Sequence, residues 1–91
     1  MTNRIVFNSR RPHIMIEGVA YEMCKTKIEL AEYLYGQREH FISKMWLKNY
    51  LGCSYDTLKK YAVDLNALFS DYGWLIKSNG QKGIGMFRIE T

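Results

Sequence analysis

A chain of 91 residues with 13 Lys and Arg against 9 Asp and Glu, 47% hydrophobic residues and one Pro has the profile of one compact domain whose thin core cannot also enclose a deep catalytic cavity, so no enzyme is expected. No uninterrupted hydrophobic run exceeds three residues, which excludes a helical membrane span or secretory apolar region and leaves a cytoplasmic protein as the expectation. The formal charge of +4 is unevenly spread, with an acid-free start holding Arg4, Arg10 and Arg11, an acidic middle with Glu29, Glu32 and Glu39, and a basic second half, as expected of a face meant for an anionic partner.

In chain order, residues 1–12 read as a basic arm, punctuated by Asn8-Ser9-Arg10-Arg11-Pro12, where turn formers and a proline interrupt the apolar Ile5-Val6-Phe7. The following His13-Ile14-Met15-Ile16-Glu17-Gly18-Val19-Ala20-Tyr21-Glu22-Met23 is rich in β-branched and aromatic residues and reads as extended or a hairpin, although Glu-Gly is a weaker turn than Asn-Gly. Thr26-Lys27-Ile28-Glu29 has the form of a capping box. It predicts a helix over 27–36, with Ile28, Leu30, Ala31, Leu34 and Tyr35 inward and Gly36 as a left-handed stop.

Ser43 is the next cap, opening a two-turn helix in which Trp46, Leu47, Tyr50 and Leu51 form one apolar stripe opposite Lys44 and Lys48. Gly52 breaks it. Ser54 then caps the most regular helical pattern of the chain, predicted over 55–72, where Leu58, Tyr61, Ala62, Leu65, Leu68, Phe69 and Tyr72 recur at three and four until Gly73. The remainder reads as a strand from Trp74, a glycine-rich loop over 79–85, and a strand from Met86 to Glu90, with Trp74, Ile76, Phe87 and Ile89 expected to share the face that packs on the third helix.

A short helix, a tight turn through Leu51-Gly52-Cys53-Ser54, and a longer helix form the order of a helix-turn-helix. With a capped helix ahead and a basic hairpin behind, the stretch Trp46-Leu47-Lys48-Asn49-Tyr50-Leu51-Gly52-Cys53-Ser54-Tyr55-Asp56-Thr57-Leu58-Lys59-Lys60-Tyr61 resembles the winged helix-turn-helix family of DNA-binding domains. That resemblance covers residues 26–91, leaving 1–25 as a basic arm or extended segment. It implies an α+β fold with a three-helix core and a C-terminal β-hairpin wing. It also implies a recognition helix starting near Ser54, a wing around 79–85, and double-stranded DNA as ligand.

With Leu58, Tyr61, Ala62 and Leu65 inward, helical geometry turns Tyr55, Asp56, Lys59, Lys60 and Val63 outward. Tyr55, Lys59 and Lys60 are the expected groove contacts, since lysine donates to guanine or phosphate and tyrosine offers a hydroxyl or an apolar contact to a thymine methyl. Ser54 and Thr57 are placed to bind phosphate at the positive end of the helix. Lys44, Lys48, Lys77, Lys82 and Arg88 would hold the backbone on either side, and Arg10 and Arg11, with Arg4, would reach a minor groove. Six neutralised phosphates predict an affinity loss of roughly 10³ between 50 and 200 mM salt.

The expected reading is therefore a small sequence-specific regulator of transcription or replication, paired as a homodimer because one module buries little surface on DNA. A reading from another class is a protein-interaction module or inhibitor reusing the same fold, docking a partner through the acidic middle. The aromatic residues Tyr33, Tyr35, Trp46, Tyr50, Tyr61, Phe69, Tyr72 and Trp74 fit core packing better than base stacking. No cofactor or metal is expected: Cys24 and Cys53, even with His13 and His40, match no zinc or redox spacing and read as buried thiols in a reducing compartment.

Overall fold

The computed structural model describes residues 4–89. The first three residues of the N-terminal segment, and Glu90 and Thr91 beyond the terminal strand, lie outside it. The fold is α+β, with three helices and two small antiparallel sheets.

Strands β1 (Ile5–Asn8), β2 (His13–Ile16) and β3 (Val19–Glu22) form a meander. Helices α1 (Lys25–Gly36), α2 (Lys44–Leu51) and α3 (Tyr55–Phe69) follow, interrupted by the two-residue strand β4 (Phe41–Ile42) between α1 and α2. A 3-10 turn, Ser70–Tyr72, leads from α3 into β5 (Trp74–Asn79), which pairs with β6 (Gly83–Arg88). The second sheet has the order β4-β6-β5. A hairpin following α3 gives the three helices a winged-helix-like arrangement.

Local signals carry much of this. Ser43 Oγ accepts from the Trp46 amide at 3.4 Å and Ser54 Oγ from the Thr57 amide at 3.2 Å, so both caps occupy an otherwise orphaned donor of the first turn. Gly52 closes α2 at φ 67 and Gly73 closes the 3-10 turn at φ 86, a backbone region that glycine enters without a Cβ clash. The inward stripe of α3 buries Leu58, Ala62, Leu65 and Phe69. The hairpin reading of 13–23 also holds: Glu17 and Gly18 both take positive φ, 50 and 85, the primed turn whose twist suits a two-residue connection.

The arm is different. Residues 5–8 are the strand β1, paired with β2 from Ile5↔Ile16 to Asn8↔His13. Alternation sends Ile14 and Ile16 inward, where both are fully buried in one cluster with Ile28, Leu34, Leu65 and Phe69, and Ile5 and Phe7 pack against that cluster. The meander is part of the core because α1 and α3 alone leave an apolar side that a small chain must cover.

Helix α1 starts at Lys25 with Cys24 as its cap residue, and no side chain caps it. The Thr26–Glu29 pattern lies inside the first turn, since β3 ends at Glu22 and the Ile28 amide already bonds the Cys24 carbonyl at 3.2 Å. Nor is Gly36 left-handed. The chain leaves α1 through Gln37, and the positive φ falls on Glu39, at 70, whose amide donates to Met86 of β6 at 2.8 Å.

The inward face of β6 also differs from the expectation. Leu75↔Phe87 and Ile76↔Met86 are cross-strand partners, so Ile84 and Met86 join Trp74 and Ile76 in the core, while Phe87 takes the other face and Ile89 is exposed. A one-residue offset exchanges the two faces of a strand. The register with β5 sets it, running from Trp74↔Arg88 to Asn79↔Gly83 and so taking the strand into the stretch read as loop.

Candidate nucleic-acid interface

The two flanks of α3 meet different neighbours. Asp64 pairs with Lys27 of α1 at 2.9 Å and Tyr61 meets Cys24 at 3.4 Å. On the opposite flank the Asn66 Oδ1 accepts from the Ile76 amide of β5 at 2.8 Å. Between these contacts Asp56, Lys59, Lys60 and Val63 are exposed, Val63 to 63%. The N-terminal meander packs on α1, and its Tyr21 meets Tyr72 in the 3-10 turn that follows α3.

A cleft of about 220 Å³ runs between the first turns of α3 and the wing, lined by Lys44, Tyr55, Asp56, Leu58, Lys59, Ser78 and Ile84. The floor is apolar, from Leu58 and Ile84, and the rim carries two ammonium groups and one carboxylate. Lys48 Nζ lies 5.5 Å from the centre of the Tyr55 ring, which places a third cation beside the same edge. Lys60 stands on the exposed helix face next to the cleft rather than in it.

The cap residues are committed to one another. Ser54 Oγ donates to Thr57 Oγ1 at 3.0 Å while accepting from the Thr57 amide, so of the four amides at the helix start those of Ser54, Tyr55 and Asp56 have no partner within the helix.

The remaining sequence-named cations are more dispersed. Lys82 stands in the 80–82 turn at the wing tip, where Asn79 Oδ1 accepts from the amides of Gln81 at 2.8 Å and Lys82 at 2.9 Å. Its Nζ lies 5.8 Å from the Phe41 ring centre. Lys77 lies over Phe87, 5.2 Å away, on the wing face turned from the core. Arg88 pairs with Trp74 at the end of the hairpin opposite that turn, with its guanidinium over the indole at 5.2 Å. Arg10 and Arg11 line a separate open depression with Pro12, His13, Ala20, Glu22 and Met23, sharing no residue with the cleft.

Ser78 and Ile84 are the cleft residues that sequence reasoning missed. Their signal was the alternation of β5 and β6, which becomes readable only when the strand is extended to Gly83. Two further expectations need correction. Cys24 is exposed rather than buried, because it occupies the cap position of α1. Trp46 and Tyr50 stand outside the core, 44% and 53% exposed, because α2 buries only Leu47 fully.

Among the described residues no group of three His, Cys, Asp or Glu is placed to hold a metal ion, and no helix is long and apolar enough to cross a membrane. Compared with known proteins, the chain matches no family model and no curated protein sequence.

Proposed function

We propose that this protein is a sequence-specific double-stranded DNA-binding regulator of transcription or replication, working in the cytoplasm, with α3 as its groove-reading helix. The observation carrying this reading is the convergence of Lys44, Tyr55 and Lys59 on one cleft between the start of α3 and the wing, beside the exposed Lys60. In this reading Lys59 and Lys60 donate to guanine edges or phosphates, Val63 meets a thymine methyl, and Tyr55 takes either role. Lys44, Lys48 and Lys82 neutralise flanking phosphates and position α3 without specifying sequence. Asp56 favours bases that offer a cytosine amine and disfavours close approach of phosphate elsewhere.

The test is fluorescence anisotropy of the full chain against random duplex DNA at 50 and 200 mM salt. With six cations engaged, affinity should fall roughly 10³-fold across that range. The Lys59→Glu/Lys60→Glu variant should bind far more weakly with a shallower salt slope. Salt-insensitive binding, or a variant indistinguishable from the parent, would overturn the proposal. Selection from random duplexes would then give the preferred site.

A further inference from the structure

The α1–α2 surface carries three clustered rings, of which Tyr33 leans on the core while Trp46 and Tyr50 are exposed. Tyr33 of α1 stacks on Trp46 of α2 with centroids 4.6 Å and planes 27° apart, Trp46 stacks on Tyr50 at 4.8 Å and 19°, and Tyr33 lies 5.4 Å from Tyr50. Three nearly equal sides place both tyrosines on the same side of the indole; on opposite faces their centroids would stand almost twice the stacking distance apart. The other face of Trp46 is covered by neither ring, and Met45 beside it is 63% exposed.

Helix α2 sorts its side chains around this cluster. Lys44 and Lys48 turn toward α3, into the cleft and over Tyr55, while Trp46 and Tyr50 turn toward α1. Beside the rings the charge is acidic. Glu29 precedes Tyr33 by one helical turn on the same face, the exposed Glu32 neighbours Glu29 three residues on, and neither makes an ion pair among the described residues. Lys25 stands a further turn away. Open π faces bordered by carboxylates attract cations and repel phosphate, so this surface is suited to guanidinium and unsuited to a nucleic-acid strand.

The same chain presents the matching group. In the turn between β1 and β2, Asn8 Oδ1 accepts from the amides of Arg10 at 3.0 Å and Arg11 at 3.2 Å, and the His13 ring contacts the Arg11 carbonyl at 2.6 Å. These bonds order the tip. Both arginines on it are exposed, and neither forms an ion pair among the described residues.

We propose that copies of this chain associate head to tail, with Arg10 and Arg11 of one copy seated on the Tyr33, Trp46 and Tyr50 rings and the Glu29 and Glu32 carboxylates of the next. The two faces differ, so the contact is heterologous and extends into a ring or a row. It is independent of DNA binding by α3. A turn seated on three rings buries less than the roughly 1,200 Å² of stable complexes, so the association is weak.

Sedimentation velocity of the full chain without DNA, at low salt and from about 10 μM to about 1 mM, reads a contact of this size. The average mass should rise with concentration. Arg10→Glu/Arg11→Glu and Glu29→Lys/Glu32→Lys should each weaken association by about tenfold or more, because each sets like charges against one another. An equimolar mixture of the two variants should associate again, since every tip then finds a surface of opposite charge. Trp46→Gln, which changes no charge, should reproduce the loss. Melting followed by circular dichroism verifies that each variant folds. A wild-type chain that stays monomeric throughout, association indifferent to these substitutions, or a mixture that fails to reassociate would each overturn the proposal.

Discussion

The hydroxyl of Tyr21 on β3 and the hydroxyl of Tyr72 in the turn after α3 share a hydrogen bond, their rings meeting edge to face with centroids 6.3 Å apart. This contact joins the N-terminal meander to the end of the longest helix. The bond to Tyr21, above all, pushes the Tyr72 phenol up from 10.0 to about 12. Because the folded value lies above the ordinary one, the stability it contributes is fully present below pH 10 and lost as pH rises toward about 12. Spectrophotometric titration should show Tyr72 ionising late, and Tyr21→Phe should return it toward the ordinary range. An unchanged titration in that variant would show that the bond does not hold the proton.

The meander is a structural layer, so its loss should cost the fold. Ile14 is fully buried among helix residues, and Ile14→Ala should destabilise by about 2–5 kcal/mol. Deleting residues 1–16 should abolish the cooperative thermal transition. A truncated chain that still melts cooperatively would show that 5–16 act as a dispensable arm.

Two glycines should respond very differently to alanine. A Cβ at Gly52 meets only open space, and its φ of 67 costs about 1–2 kcal/mol in strain. A Cβ at Gly83, where φ is 111, would overlap the Ile42 carbonyl of β4, so Gly83→Ala should cost more and unpair β4. Denaturant melts of both variants compare them directly. Equal losses would contradict the close approach of β4 to the wing.

Cys24 should be the more reactive thiol. Partial burial raises its pKa, but the Tyr61 hydroxyl, the Lys27 amide and the Lys27 ammonium together hold it below the ordinary value. An exposed thiol with more thiolate at a given pH reacts sooner with iodoacetamide, so Cys24 should be modified before the half-buried Cys53. Tyr61→Phe should move the midpoint of the rate-against-pH curve upward. Prior modification of Cys53, or an unmoved midpoint, would count against this arrangement.

What could be read from the chain alone follows from short-range rules. The hydroxyls of Ser43 and Ser54, the left-handed Gly52 and Gly73, and the three-four spacing through α3 act within a few residues, so they marked α2, α3 and the wing that frame the cleft. Lys44, Tyr55 and Lys59 were legible for the same reason, since helical periodicity alone turns them outward. Partners distant in sequence decided the rest. Only pairing with β2 makes Ile5-Val6-Phe7 a strand, and only the register with β5 decides that Met86 rather than Phe87 enters the core. Trp46 and Tyr50 left the core because the space beneath α2 holds Leu47 and part of Leu51, a matter of packing volume that hydrophobicity in sequence does not express.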